Sequence, residues 1–387
     1  MSELRNLSFT VEEYRSRVKK VQREMAKVGM DALLSHNFPS ICYLTGFQSI
    51  MGTAKYFMVV VPKEGDPWLL GQSFEMPNAL IHCWLEDKIG YELFIDPIEA
   101  SRKLLVERGL ADKRLGLEIN TLCLSAASCE RLKQALPRAT FLDASNVVAS
   151  VRAVKSSTEI DYLRQASRIT SGAMGKALEE AKIGKTDNDI AAAAMDYCVR
   201  HGGEFFCLEP IVSLGGRSGV PHCTFGRNKI KPGDLCFIEI GACIRRYSGA
   251  LIRTFSIGKP GPIQQRVCDE IEASLNAVIA NLKPGIPARE VALKARKPWE
   301  WTYTNQELFW NGAYGYSTGL GFPPDWGDAD LNIREEDLTI LQPGMVFHCT
   351  NNIRKGGVFG MGISETVAIT ETGCEVLTDF PRHLFVL

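Results

Sequence analysis

Four stretches of the sequence set chemically capable side chains in apolar or glycine-rich surroundings. In SGVPHCTFGRN (218–228), His222 follows a proline and precedes a glycine turn. An imidazole ionises near neutrality and can carry a proton either way. Gly/Pro-rich loops are where functional groups collect, yet a lone His beside an apolar run can equally be a satisfied core residue, and both readings stay open. In LCFIEIGACIRRYSGALIRTF, Glu239 sits mid-strand between Ile238 and Ile240. Burying an isolated charge is costly, so this carboxylate must face water at an edge or be compensated. Strand alternation puts it on one face with Phe237 and Gly241, and Gly241 leaves room for something to approach. MGISETVAIT sets Glu365 in a similar position, with Ile363 and Val367 as same-face neighbours. Two buried glutamates on two strands would share a proton or hold a cation between them; the alternative is a structural carboxylate bonded to a turn. GYSTGLGFPPDWGD (315–328) reads as a glycine-, proline- and aromatic-rich loop in which Phe322 and Trp326 could wall a small-molecule pocket, with Asp325 as its polar handle; the alternative is an ordinary ordered loop.

The elements that must position these groups fall into two textures. Residues 10–29 read as an amphipathic helix opened by Thr10, with Glu13 three residues on, and closed by Gly29. ALLSH, YFMVVVP (56–62), WLLGQ (68–72), RLGLEIN (114–120) and ATFLDAS (139–145) are strand-like and separated by helical stretches. That alternation argues for an α/β domain with a mixed sheet. Residues 151–160 form a polar, serine-rich junction into a long helix, EIDYLRQASRITSGAMGKALEEA. Beyond it, helices at about 186–201 and 262–282 are interleaved with glycine-rich strand segments, the texture of an α+β domain.

Composition narrows the function classes. The 387 residues are 45% hydrophobic and 23% charged, a globular balance. Lys+Arg number 44 against 45 Asp+Glu, so no charge footprint marks a nucleic-acid or anionic-membrane partner. The twelve cysteines are scattered without a C-x-x-C pair, so reduced, mostly buried thiols in a cytoplasmic protein are expected. Cys223, beside His222, stays open as a nucleophile. There is no apolar signal-peptide core, bilayer-length apolar run, G-x-S-x-G elbow, Walker loop or H-E-x-x-H pair.

R-A-V-K-S-x-x-E-I, P-H-x-x-x-G-R-N, K-P-G-D-L-x-F-I-E-I-G-A, L-Q-P-G-M-V-F and I-S-E-T-V-A-I-T-E-T-G, in this order, resemble the creatinase/aminopeptidase P family with its pita-bread fold. The resemblance covers essentially the whole chain. It implies an α/β creatinase-type N-terminal domain over 1–152 and an α+β pita-bread catalytic domain over 153–387. Peptidases of the family bind two metal ions through Asp, Asp, His, Glu and Glu, positions that fall here on Glu239, Ala250, Thr318, Thr350 and Glu365. Alanine cannot coordinate and threonine hydroxyls are poor ligands, so no metal and no cofactor are expected. Creatinase, a metal-free member, uses a His that matches His222, but its two substrate-binding glutamates fall on Ile252 and Thr350.

The ectoine-hydrolase branch resembles the chain better, over Phe237–Tyr247, Gly315–Asp328 with its P-P-D-W-G, Pro343–His348 and Pro381–Val386. Where that branch is aromatic, this chain has QSIMGTAKYF (48–57), so the expectation extends to relatives of ectoine. The resemblance implies metal-independent opening of a small cyclic amidine, with ectoine yielding N-acetyl-diaminobutyrate. Glu239 would attack the amidine carbon, His222 would move protons and Glu365 would bind an amidinium N–H. Tyr247, Tyr316, Phe322, Asp325, Trp326, Phe47 and Thr350 would line the substrate pocket, and the protein would be a homodimer. The alternatives are a creatinase-like guanidino or amidino hydrolase, and an Xaa-Pro-peptidase-like protein that has lost its metals and serves as a binding module.

Overall fold

The computed structural model describes residues 4–387 and divides after Arg152 into two compact units. In the first, the short apolar runs become strands β1 (Ala32–Ser35), β2 (Met58–Pro62), β3 (Trp68–Gln72), β4 (Lys88–Tyr91), β5 (Arg114–Leu117) and β6 (Thr140–Asp143), ordered β4-β3-β2-β1-β5-β6. The β1–β2 and β2–β3 pairs are antiparallel and the rest parallel, the mixed sheet expected from the alternating pattern. The first helix, Val11–Lys27, starts at Thr10, whose Oγ1 accepts the Glu13 N–H. ICYLT belongs to a buried helix, Phe38–Thr45, which Gly46 ends in the left-handed region.

The second unit is built on strands β7 (Ile211–Leu214), β8 (Leu235–Ile244), β9 (Tyr247–Ser256), β10 (Tyr316–Phe322), β11 (Asp325–Asn332), β12 (Val346–Lys355), β13 (Phe359–Ile369), β14 (Cys374–Val376) and β15 (Phe385–Val386). The main path runs β14-β13-β12-β10-β9-β8-β7; β11 pairs with β10 and β15 with β9. Alternation along β8 sends Ile238 and Ile240 into one core, where they meet Ala173, Met174 and Ala177 of the long helix Ser157–Glu180. Glu239 is thereby turned to the opposite face with Phe237. The helix comes this close because Gly249 has no side chain: a Cβ there would lie 2.5 Å from the Ser167 backbone nitrogen. On the other side, Phe347, Cys349 and Ile353 of β12 and Met361, Ile363 and Val367 of β13 pack with Ile271, Leu275 and Val278 of helix Pro262–Asn281. The even-numbered residues of β12 therefore face the same way as Glu239.

The loop expected from the sequence over 315–328 does not form. The stretch is instead an antiparallel hairpin, β10–β11, turning at Pro323-Pro324. Its glycines, which read as loop residues, are sites of close packing: a Cβ at Gly319 would meet Asp328 Oδ2 at 2.4 Å.

Candidate active site

Glu239 from β8, His222 from the loop after β7 and Tyr316 from β10 line one cavity of about 670 Å³ with Asp325, Trp326 and Asp328 of β11. The same three residues border an adjoining recess of about 210 Å³ that adds Thr350, Asn352 and Arg354 of β12. Gly241, two residues along β8, does leave room, and the Trp326 ring takes it: a Cβ there would lie 2.9 Å from Trp326 Cζ3.

Glu239 is 9% exposed, and among the described residues no group hydrogen-bonds or ion-pairs with its carboxylate. Burial pushes its pKa up to about 7; the Arg354 charge opposes the rise and the Asp325 charge adds to it. His222 is exposed and sits at φ 56°, a left-handed conformation uncommon outside glycine. Its loop is tethered to the sheet through Ser218, whose hydroxyl donates to the Gly215 carbonyl (2.6 Å) and accepts the Gly360 N–H (2.7 Å). The Ser218 carbonyl also accepts from Arg354 Nη1.

Behind the cavity lies a buried polar chain. Trp326 Nε1–H donates to the Tyr316 hydroxyl oxygen at 2.7 Å, and His348 Nδ1 lies 2.8 Å from the same oxygen. His348 Nε2 is 2.6 Å from Ser364 Oγ, which accepts the Ile252 N–H at 2.7 Å. Burial alone pushes the His348 pKa down to about 3, so the ring is neutral. Burial, then the nearby Glu239 charge, raise that of Tyr316 well above its ordinary range. A buried ion pair, Lys155 Nζ to Asp328 Oδ2 at 2.9 Å, anchors β11.

Of the expected site residues, the fold thus brings together Glu239, His222, Tyr316, Asp325, Trp326 and Thr350. Four others lie elsewhere. Glu365 shares the Ile363/Val367 face, as alternation required, but that is the face turned from the cavity. Its carboxylate is taken by Arg253 Nη2 (2.6 Å), Arg382 Nε (3.0 Å) and the Thr378 hydroxyl, so it cannot share a proton or cation with Glu239. Ser364 is the β13 residue bonded toward His348. Tyr247 is fully buried and donates to Glu159 Oε1 at 2.7 Å. Phe322 is buried with the Arg246 guanidinium 4.6 Å from its ring centroid, away from the cavity lining. Phe47 belongs to the core of the N-terminal unit, its ring 5.1 Å from Phe57 and 6.0 Å from Phe38. Sequence reasoning missed His348, Asn352 and Arg354. The signal was present: His348, Thr350, Asn352 and Arg354 form a polar period-2 stripe in a strand whose odd residues include Phe347, Cys349 and Ile353.

The side chains present do not fit a dinuclear metal centre. Ala250 is buried without a donor, Thr318 Oγ1 donates to the Trp326 carbonyl at 3.1 Å, and Thr350 Oγ1 accepts from Asn352 Nδ2 at 3.1 Å. Among the described residues, no group of three or more His, Cys, Asp or Glu side chains is placed to hold a metal ion.

Comparison with known proteins sets these features in a lineage. Residues 17–154 match the Creatinase/Prolidase N-terminal domain, and residues 161–371 match Metallopeptidase family M24. Ectoine hydrolase from Halomonas elongata is 30% identical, covering 98% of this chain and 99% of its own length. The Xaa-Pro dipeptidase of Pyrococcus horikoshii is 27% identical, covering 95% of this chain and 98% of its own. The crystal structure of a prolidase from Thermococcus sibiricus superposes with a TM-score of 0.86 at 21% identity, over 97% of this chain and 99% of that one, a likeness of fold.

Proposed function

The chain belongs to the M24 metallopeptidase family and carries that family's creatinase/prolidase N-terminal domain, and from that premise we propose that it is a metal-independent hydrolase opening a small cyclic amidine, ectoine or a close relative. The observation that carries the reading is Glu239: a carboxylate lining a cavity, without a protein partner and poised to ionise near neutrality. A planar amidinium is the kind of ligand that would compensate it. Arg354, which borders the same recess, suits the carboxylate of an amino-acid-derived substrate. In this reading ionised Glu239 adds to the electrophilic amidine carbon. His222 protonates the departing ring nitrogen as its C–N bond breaks, then takes a proton from the water that adds to the same carbon. Glu239 leaves, and the product is an open-chain amide bearing a free amine. Acid–base help of this kind is typically worth about 10²–10⁴-fold. Asp325, rather than Glu365, is left to bind an amidinium N–H.

An open-chain guanidino acid is the second reading, favoured by the same pairing of Glu239 and Arg354 in one recess. The test is mass-spectrometric turnover of ectoine, hydroxyectoine, creatine and Xaa-Pro dipeptides, with thermal shifts measured in parallel. Ectoine-type opening that vanishes in Glu239→Gln is expected. Turnover confined to creatine would favour the second reading, binding without turnover would indicate a binding module, and a fully active Glu239→Gln would refute the mechanism. A cytoplasmic homodimer belongs to the same proposal. The cysteines are free, and among the described residues no helix is long and apolar enough to cross a membrane.

A further inference from the structure

The buried chain behind the cavity has a direction, and its direction reaches the substrate. The Ile252 backbone N–H can only donate, so it makes Ser364 Oγ an acceptor at 2.7 Å. The hydroxyl has one other partner, His348 Nε2 at 2.6 Å. The serine proton must therefore point at Nε2, or it would be a buried donor without an acceptor. That requires Nε2 to be unprotonated. The ring is neutral, so its one proton sits on Nδ1, which then donates to the Tyr316 oxygen at 2.8 Å. Trp326 Nε1, also an obligate donor, reaches the same oxygen at 2.7 Å. With both acceptor directions of that oxygen occupied, the phenol proton is left for the cavity that Tyr316 lines beside Glu239 and His222.

We infer that His348 is a positioning residue that fixes Tyr316 as a hydrogen-bond donor into the cavity, selecting substrates that present an acceptor, a carboxylate or carbonyl oxygen, at that point. The opposite tautomer would turn the Tyr316 proton inward and offer the substrate a lone pair instead. The chain Ile252–Ser364–His348–Tyr316 is thus read as a one-way device whose polarity is set by a backbone amide. It deepens the proposed function by adding a donor to a pocket otherwise described by Glu239, His222 and Arg354.

Two measurements test it. Histidine-selective ¹⁵N labelling of the full chain, read by long-range proton–nitrogen correlation, should show His348 as the neutral Nδ1–H tautomer. An Nε2–H ring would overturn the inference whatever the protein turns over. The kinetic arm uses ectoine. Tyr316→Phe should lower kcat/KM on the order of 10- to 100-fold, the range for one hydrogen bond to a charged or polar substrate atom. His348→Asn, whose amide nitrogen can stand where Nδ1 stood, should keep most of the activity. His348→Gln, whose amide reaches the Nε2 position, should fall to the Tyr316→Phe level, and the Tyr316→Phe/His348→Gln double variant should be no worse than either alone. Equal losses in the Asn and Gln variants, or additive losses in the double variant, would mark a merely structural histidine and sink the inference. Failure of the wild-type chain to open ectoine would count against the proposed substrate, with the tautomer measurement still deciding this point.

Discussion

At Glu239 the electrostatics run against stability. Its pKa in the fold is about 7, raised by burial from an ordinary 4.5. Below pH 4.5 the carboxyl is protonated in the folded and unfolded chain alike and contributes nothing. As pH climbs from 4.5 to about 7 the unfolded chain ionises first, so stability is lost through that window and stays lost above it. Converted by linkage, the shift corresponds to at most roughly 3 kcal/mol. Glu239→Gln should therefore raise Tm at pH 8, leave it nearly unchanged at pH 4.5, and abolish turnover. An equal or lower Tm at pH 8 would show that the carboxylate is compensated in the fold. If the ionised form attacks the substrate, kcat/KM of the wild type should rise with pH through about 7, the limb a pH–rate profile reads directly. Arg354 carries the complementary expectation: Arg354→Met should raise KM for a carboxylate-bearing amidine on the order of 10- to 100-fold, the loss of one charge-assisted hydrogen bond. Unchanged KM would remove Arg354 from the substrate.

Strand β13 shows what the sequence could and could not tell about an element. Alternation correctly placed Glu365 with Ile363 and Val367, but both faces of this sheet are covered, so a polar residue among apolar ones does not reveal which face holds the cavity. Deciding that took Arg253 on β9 and Arg382 near the C-terminus, residues 112 and 17 positions away along the chain. The hairpin β10–β11 was obscured for another reason: glycines that serve close packing look like loop glycines until the neighbours are known. Opposite predictions follow for the two glutamates. Glu365→Leu leaves the Arg253 guanidinium buried without its carboxylate and should cost on the order of 3–5 kcal/mol, with kcat per folded molecule preserved. Denaturant unfolding paired with active-site titration separates the two effects, and a folded but inactive Glu365→Leu would return that residue to catalysis. Gly241→Ala should impair both stability and turnover. A methyl 2.9 Å from Trp326 Cζ3 displaces the ring and its bond to Tyr316, costing about 1–3 kcal/mol as overpacking and lowering kcat/KM beyond what lost stability explains.

Over the whole molecule, the family and fold were legible because long motifs in fixed order resist chance, and the helices and strands that carry them follow hydrophobic period. Glu239 and His222 were legible for a local reason, since a carboxylate in an apolar strand and an imidazole in a Gly/Pro loop both need an account. His348, Asn352 and Arg354 were less so because polar residues on alternate strand positions ordinarily face solvent; only distant segments, among them residues 221–222 and 309–311, turn that stripe into the wall of a recess. The same scale decides what the fold can do with metal. The peptidase-type centre implied by the resemblance needs five donors converging from β8, β9, β10, β12 and β13, and this chain offers there one free carboxylate, an alanine, two hydroxyls already engaged with protein partners and a carboxylate taken by Arg253 and Arg382. Restoring a site would take several simultaneous changes, because one hard ligand does not hold a divalent ion against water. Calorimetric titration of the full chain with Mn²⁺ or Co²⁺ should therefore show no stoichiometric uptake, and turnover should be the same in chelator as in added metal. Activity that chelator abolishes and one metal restores would mean that the ion is held by an arrangement these strands do not present, and would return the chain to the peptidase side of its family.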